Sequence, residues 1–217
     1  MRKTNVVLIC MTMGLAANLA AQDVPRFEIG GNYSFMQYNP TVSGLQSRSF
    51  NGGGGTVQWN FARWFGIKGD FQGYGSTSWT AHYAGPIVNP LGTTIPAGTY
   101  TSQGNMFTYM FGPTASVHHE KFTAFAEVLL GGSNSTLYGN LQKTIDANGG
   151  TLAAIGSQHP FTMAVGGGFD LNVHKHIALR LGEFDYVMTR YTNPLTSTNN
   201  QNNFRYLGGV VFRFGGE

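Results

Sequence analysis

Apolar and polar residues alternate along most of this chain. Eight runs carry the pattern. In "RFEIGGNYSFMQY", Phe27, Ile29, Gly31, Tyr33 and Phe35 oppose Glu28, Gly30, Asn32, Ser34 and Met36. "GGTVQWNF" sets Val57, Trp59 and Phe61 against Thr56, Gln58 and Asn60, and "FGIKGDFQGYG" sets Phe65, Ile67 and Phe71 against Lys68, Asp70 and Gln72. "NMFTYMFGPTASV", "FTAFAEVLLGG", "FTMAVGGGFDLNV", "IALRLGEFDYVMTRY" and the terminal "FRYLGGVVFRF" repeat it. Side chains of a strand point to opposite faces in turn, so each run predicts a β-strand with two unlike faces. Alternation weakens around Gly182–Glu183, where a bulge is expected. No stretch shows a convincing helical period.

The connections alternate in length. Short turns fall at 62–64, 118–121 and 174–176. Long segments rich in Gly, Asn, Ser, Thr and Pro fall at 39–51, 76–102, 133–160 and 191–203. Short turns at one end and long loops at the other predict an all-β fold: an eight-stranded antiparallel up-and-down barrel. Each run is about 9–13 residues, which matches the ~9–11 that a tilted strand needs to cross a bilayer.

Composition sharpens the choice of solvent. Of 217 residues, only 11% are charged while 13% are aromatic, against about 25% charged in a typical soluble domain. Mean hydropathy is −0.12, too low for a helical membrane protein, and no mature segment offers the ~20 apolar residues of a spanning helix. The start "MRKTNVVLICMTMGLAANLAAQ" has Arg2 and Lys3, an apolar core and small residues, the pattern of a cleaved signal peptide. Residues 1–21 are therefore assigned to the signal and 22–217 to the barrel. Cys10 is the only cysteine, so the exported chain carries no disulfide. Removing Arg2 and Lys3 leaves 11 basic against 10 acidic residues, and nothing points to nucleic acid.

Two solvents fit an apolar face. In a soluble periplasmic barrel it turns inward around a hydrophobic ligand. In a membrane barrel it meets lipid, with aromatics such as Phe27, Phe65, Phe107, Tyr109, Phe122, Phe204, Tyr206, Phe212 and Phe214 near strand ends as interfacial girdles. The second face decides. It offers Gly, Ser, Thr, Asn, Met and isolated charges rather than the Lys and Glu of a soluble surface. Turned inward, those charges pair. Counting from Lys175 puts Asp170 opposite Arg180. Counting from Arg63 puts Lys68 opposite Gln58 and Asp70 opposite Thr56. Closure sets Glu28 beside Arg213. The predicted interior network is Glu28, Lys68, Asp70, Glu127, Asp170, Arg180 and Arg213, a structural role inside a packed lumen. Phe204, Tyr206, Val210, Phe212 and Phe214 then face lipid, and Arg205 and Arg213 the interior.

With "FAEVLLGGS", "GGGFDLNV", "IALRLGEFDY" and the terminal "GVVFRFG", the mature chain resembles the OmpA-like outer-membrane β-barrel family, in the small OmpX-type form with a barrel domain only. The resemblance implies a place in the cell outer membrane of a diderm bacterium, among its lipids. It also implies that the last strand is read by the outer-membrane assembly machinery, although Gly215, Gly216 and Glu217 follow Phe214 here. No periplasmic domain is expected after the barrel.

Other chemistry is sparse. "HHEK" (118–121) and "HKH" (174–176) place histidines close together, but in polar turns with no cysteine, so no metal is assigned. The glycines at 52–55 and 166–168 lack the Lys-Ser/Thr of a phosphate loop. They read as a flexible loop end and as a strand making room for a large interior neighbour. An acyl-transfer site at the rim would draw on His82, His159, Ser78, Ser157, Glu183 and Asp185, but no spacing fixes a triad. No catalytic residue and no cofactor is assigned. The expected function is structural or surface-interaction, adhesion or recognition, by a monomer whose segments 76–102, 133–160 and 191–203 meet an extracellular partner. The alternatives are a lipid-modifying enzyme, a narrow-pore channel or the soluble ligand-binding barrel.

Overall fold

The computed structural model describes residues 24–40, 46–88, 93–151, 159–191 and 200–216; the signal assigned to 1–21 lies outside them. Eight long strands close into a barrel: β1 (Phe27–Tyr38), β2 (Arg48–Asn60), β3 (Phe65–Tyr83), β6 (Gly98–His118), β7 (Phe122–Ser135), β8 (Phe161–His174), β9 (Ile177–Arg190) and β10 (Asn200–Phe214). A small hairpin, β4 (Ile87–Val88) and β5 (Thr94–Ile95), and one helix, α1 (Leu137–Ala147), complete the described elements. The order around the barrel is β1-β10-β9-β8-β7-β6-β3-β2, antiparallel throughout. Closure by β1 on β10 pairs Phe27 with Phe214 and leaves no bare edge along the wall.

The alternation of the sequence becomes two faces. Phe27, Ile29 and Tyr33 of β1 are about half exposed, while Glu28, Ser34 and Met36 between them are buried. The same outward apolar face runs through Ile67, Phe111, Leu130, Val165 and Phe212. Among the described residues no helix is long and apolar enough to cross a membrane; the strands carry the apolar surface.

Two irregularities re-aim side chains. On β9, Asp170 pairs with Arg180 but Phe169 pairs with Gly182. Leu181 is the extra residue, next to the bulge expected at Gly182–Glu183. It turns Arg180 and Glu183, three residues apart, to the same interior. On β3, the shift between Tyr74 and Thr77 moves the inward set from Lys68, Asp70, Gln72 and Tyr74 to Trp79, Ala81 and Tyr83.

Several expected loops prove shorter. The segment 76–102 is largely sheet: Thr77–Tyr83 pairs with Gly98–Gly104 beyond the barrel wall. β2 starts at Arg48 and β10 at Asn200. The segment 133–160 contains α1. Leu137, Tyr138, Leu141 and Ile145 form its buried stripe, and each such burial contributes about 1.5–3 kcal/mol. At its start, Thr136 Oγ1 donates to Asn105 Oδ1 at 2.8 Å and accepts from Asn105 N at 3.1 Å, tying α1 to β6. It ends at Ala147, and Gly149, just past the cap residue Asn148, has a φ of +77° that suits the reversal.

Candidate functional site

The barrel interior has two storeys. The storey nearer the short turns is ionic. Glu28 Oε2 accepts from Arg213 Nε at 3.1 Å, and Glu28 Oε1 from Asn60 Nδ2 at 2.8 Å. Arg213 Nη2 reaches Asp170 Oδ2 at 3.4 Å and Nη1 donates to Asn172. Asp170 also takes a forked pair from Arg180, Nε at 2.8 Å and Nη2 at 3.2 Å. Arg180 Nη1 continues to Glu183 Oε2 at 2.7 Å. Lys68 Nζ bridges Glu183 Oε2 (2.7 Å) and Glu127 Oε2 (2.8 Å). Arg205 joins Asp70 Oδ1 at 2.7 Å to Asp185 Oδ2 at 2.8 Å. The chain ends on Gln72, which donates to Asp70 Oδ2 at 3.1 Å and accepts from Asn32 Nδ2 at 2.8 Å.

All seven residues named from the sequence lie in this lumen, with Asp170 beside Arg180, Lys68 opposite Gln58, Asp70 opposite Thr56 and Glu28 opposite Arg213. Three further Asp, Glu or Arg residues stand among them: Arg205, Glu183 and Asp185. Arg205, fully buried, was legible as an inward residue. Glu183 and Asp185 read as acids of the rim, because the Leu181 bulge and strand tilt decide their depth.

Interior glycines make these contacts possible. Asn32, Gly54 and Gln72 lie on one rung across β1, β2 and β3, and the Asn32–Gln72 bond passes over the bare glycine. A Cβ on Gly54 would stand 2.6 Å from Gln72 Oε1. Gly52–Gly55 is therefore strand, not a flexible loop end. Glu127, Gly166 and Asp185 share a second such rung. Phe125 fills the lumen beside Gly168, whose Cβ would meet its ring at 2.9 Å. Above that ring sit Arg180 (4.5 Å) and Lys68 (5.2 Å).

The other storey is apolar. Met36, Met106, Met110, Leu129, Ala164 and Val187 are covered by the rings of Tyr38, Phe50, Tyr74, Trp79 and Tyr191. Leu137 and Tyr138 of α1 close it from above. Tyr38 packs 5.2 Å from Trp79 and Tyr138 5.0 Å from Tyr191, between ring centres. Gln201 Nε2 donates to the Tyr138 hydroxyl, and burial pushes that phenol above its ordinary pKa. At the short-turn mouth, a cavity of about 510 Å³ is lined by His118, His174, Lys175, His176 and Arg213 among others.

Among the described residues the acyl-transfer candidates are not assembled. His82 Nδ1 lies 3.0 Å from Thr99 Oγ1, and Ser78 Oγ accepts from Gln103 Nε2 at 3.0 Å, both on the outer face of the hairpin. His159 is exposed, Ser157 lies outside the described residues, and Glu183 and Asp185 are sealed in the ionic storey. In the turns, His118 Nε2 lies 4.0 Å from Glu28 Oε1, His119 stacks on Phe122, and the His174 and His176 rings are 5.7 Å apart.

A closed eight-stranded barrel with an apolar aromatic-rich outside and an ionic inside is an integral membrane β-barrel. The model of the family described as "Outer membrane protein beta-barrel domain" matches residues 6–214. The chain belongs to that family, and its place is the cell outer membrane. No curated protein matches it. Among solved structures, the outer membrane protein OprG from Pseudomonas aeruginosa is similar, with a TM-score of 0.55 at 12% identity over 89% of this chain and 98% of that one. Neisserial surface protein A is similar with a TM-score of 0.52 at 10% identity, over 87% and 97%.

Proposed function

We propose that this is a non-catalytic surface-interaction protein whose working part is a lobe standing on the extracellular rim. The observation that carries this reading is the continuation of β3 and β6 past the barrel wall as a braced hairpin. The lobe has its own apolar cluster of Ala81, Tyr83, Ile95, Tyr100, Leu141 and Ile145. Helix α1 covers one edge of the hairpin: Asn140 Nδ2 donates to Gln103 O at 2.7 Å and Thr144 Oγ1 to Thr101 O at 3.4 Å. Reciprocal backbone bonds of 2.6 Å between Thr94 and Thr151 pin the end of the helical segment. The lobe is thus preorganised, so a partner pays little ordering entropy on binding.

The outward face of its hairpin carries hydroxyl, amide and imidazole groups and no Lys, Arg, Asp or Glu at the paired positions 78, 80, 82, 99, 101 and 103. Ser78 pairs with Gln103, Thr80 with Thr101 and His82 with Thr99. Such a face suits a neutral, hydrogen-bonding partner. The two filled storeys of the lumen favour work done outside the barrel over passage through it.

The test replaces residues 77–103 by a short turn in the full-length protein displayed on bacteria. Adherence to matrix-coated surfaces and to cultured cells should fall to the level of bacteria lacking the protein, while the barrel stays heat-modifiable on gels. Undiminished adherence would remove the reading. Sustained conductance of the intact protein in planar bilayers would instead favour a channel.

A further inference from the structure

The charges of the lumen do not balance. Glu28, Asp70, Glu127, Asp170, Glu183 and Asp185 are buried there with Lys68, Arg180, Arg205 and Arg213. Two carboxylates exceed the permanent cations. His118 sits beside Glu28, at the mouth, away from the centre of the network. A buried net charge in a barrel surrounded by lipid is too costly to stand uncompensated. Protons or counter-cations must offset that charge, and one cluster of carboxylates keeps lone pairs for a cation.

Carboxylate oxygens of Glu127, Glu183 and Asp185, one from each, lie within 4.8 Å of one another. Independently, one buried oxygen of each of these residues has no hydrogen-bond partner: Glu127 Oε1, Glu183 Oε1 and Asp185 Oδ1. Their other oxygens are taken by Lys68, Arg180 and Arg205. Three cations already touch the cluster: Lys68 Nζ at 2.7 Å from Glu183 Oε2 and 2.8 Å from Glu127 Oε2, Arg180 Nη1 at 2.7 Å from Glu183 Oε2, and Arg205 Nη2 at 2.8 Å from Asp185 Oδ2 and 3.6 Å from Glu183 Oε1. Gly166 lies between Glu127 and Asp185 on their shared rung and keeps the space between the two carboxylates free of a side chain. Its own Cβ would stand 2.0 Å from Asp185 Oδ1.

We propose that Glu127, Glu183 and Asp185 bind one divalent cation inside the barrel, calcium in preference to magnesium. Oxygens about 2.3–2.6 Å from a shared calcium ion can lie up to about 5 Å apart, whereas magnesium holds its ligands at about 2.0–2.1 Å in a strict octahedron. The two positive charges match the excess of two carboxylates. Lys68 and Arg205 orient the carboxylates, and the ion takes the lone pairs they leave.

The test uses the full chain refolded in detergent without lipopolysaccharide, once with calcium and once with EDTA. Elemental analysis after gel filtration should find one calcium per barrel in the first sample. Its gel-shift unfolding midpoint should be higher than that of the EDTA sample. Glu127→Gln should lose both the bound calcium and the difference in midpoint while remaining heat-modifiable; Asp185→Asn serves if that variant does not fold. No stoichiometric calcium, with equal midpoints in calcium and EDTA, overturns the site and assigns the missing charge to protons.

Discussion

Asn32 and Gln72 meet over a glycine. They stand on β1 and β3 with β2 between them, and their side chains bond at 2.8 Å because Gly54 presents no Cβ. The rung Glu127–Gly166–Asp185 repeats the device on the opposite side of the barrel order. A narrow eight-stranded lumen has room for large polar side chains on alternate strands only if the strand between them is bare.

Gly54→Ala should therefore destabilise the barrel by about 1–3 kcal/mol through overpacking. A Cβ there would stand 1.9 Å from Phe71 O as well as 2.6 Å from Gln72 Oε1. Gly31→Ala is the matched control, since a Cβ there meets nothing within 4 Å. It should be neutral or stabilising by up to about 1 kcal/mol, because glycine is costly within a strand. Urea unfolding in lipid vesicles reads both, and equal effects of the two variants would remove the argument.

Arg205 is the cation on which the ionic storey turns. It is fully buried and holds Asp70 and Asp185 together across the lumen. Arg205→Met keeps the bulk but leaves two carboxylates without their cation. The expected cost is about 3–5 kcal/mol, the range for breaking a buried pair. Adding Asp70→Asn should recover part of it. A double variant no more stable than Arg205→Met alone would show that Asp70 is not its energetic partner.

Much of this arrangement is legible in the sequence because period two is strict in a wall with unlike faces. Counting from Lys175 places Asp170 opposite Arg180, and closure places Glu28 opposite Arg213. What escapes is depth. Glu183 and Asp185 read as rim acids because Leu181 adds a residue to β9 and because tilt, not sequence, sets how far each rung lies from the membrane surface. The lobe escapes for another reason. Above the girdles the outward face meets water, so Ser78, Thr80 and His82 alternating with Trp79, Ala81 and Tyr83 look like a polar loop. Helix α1 has its stripe, Leu137, Tyr138, Leu141 and Ile145, but eleven residues among Asn and Gly are marginal as an isolated helix. Packing on β6 decides it.

The change of solvent along β3 and β6 can be measured. Leu130 is opposite Phe111 on the lipid-facing wall, so Leu130→Arg should cost about 2–4 kcal/mol if that rung is near the midplane. Thr80→Arg points outward in the same sense but beyond the Tyr74–Thr77 shift, and should cost less than about 0.5 kcal/mol, as at an ordinary exposed site. Unfolding in vesicles compares them. A comparable penalty at Thr80 would put the hairpin inside the bilayer and end its description as an extracellular lobe.

Helix α1 should unfold apart from the barrel. Its contacts fall into two sets: Leu137 and Tyr138 cap the apolar storey, while Leu141 and Ile145 pack in the lobe with Tyr83, Ile95 and Tyr100. Ile145→Asp places a carboxylate at a fully buried position of the lobe, where no charge partner is present among its described neighbours. Removing the apolar contact alone costs about 2–5 kcal/mol, comparable to what docks one short helix. The barrel strands, each paired on both sides, do not depend on that contact. The expected outcome is rapid cleavage by added protease within 136–151 and fast amide exchange over α1. Heat-modifiability and exchange protection of β8, β9 and β10 should be unchanged. Loss of protection in those strands as well would mean that lobe and barrel fold as one cooperative unit, and the lobe could then not be altered for binding studies without disturbing the membrane anchor.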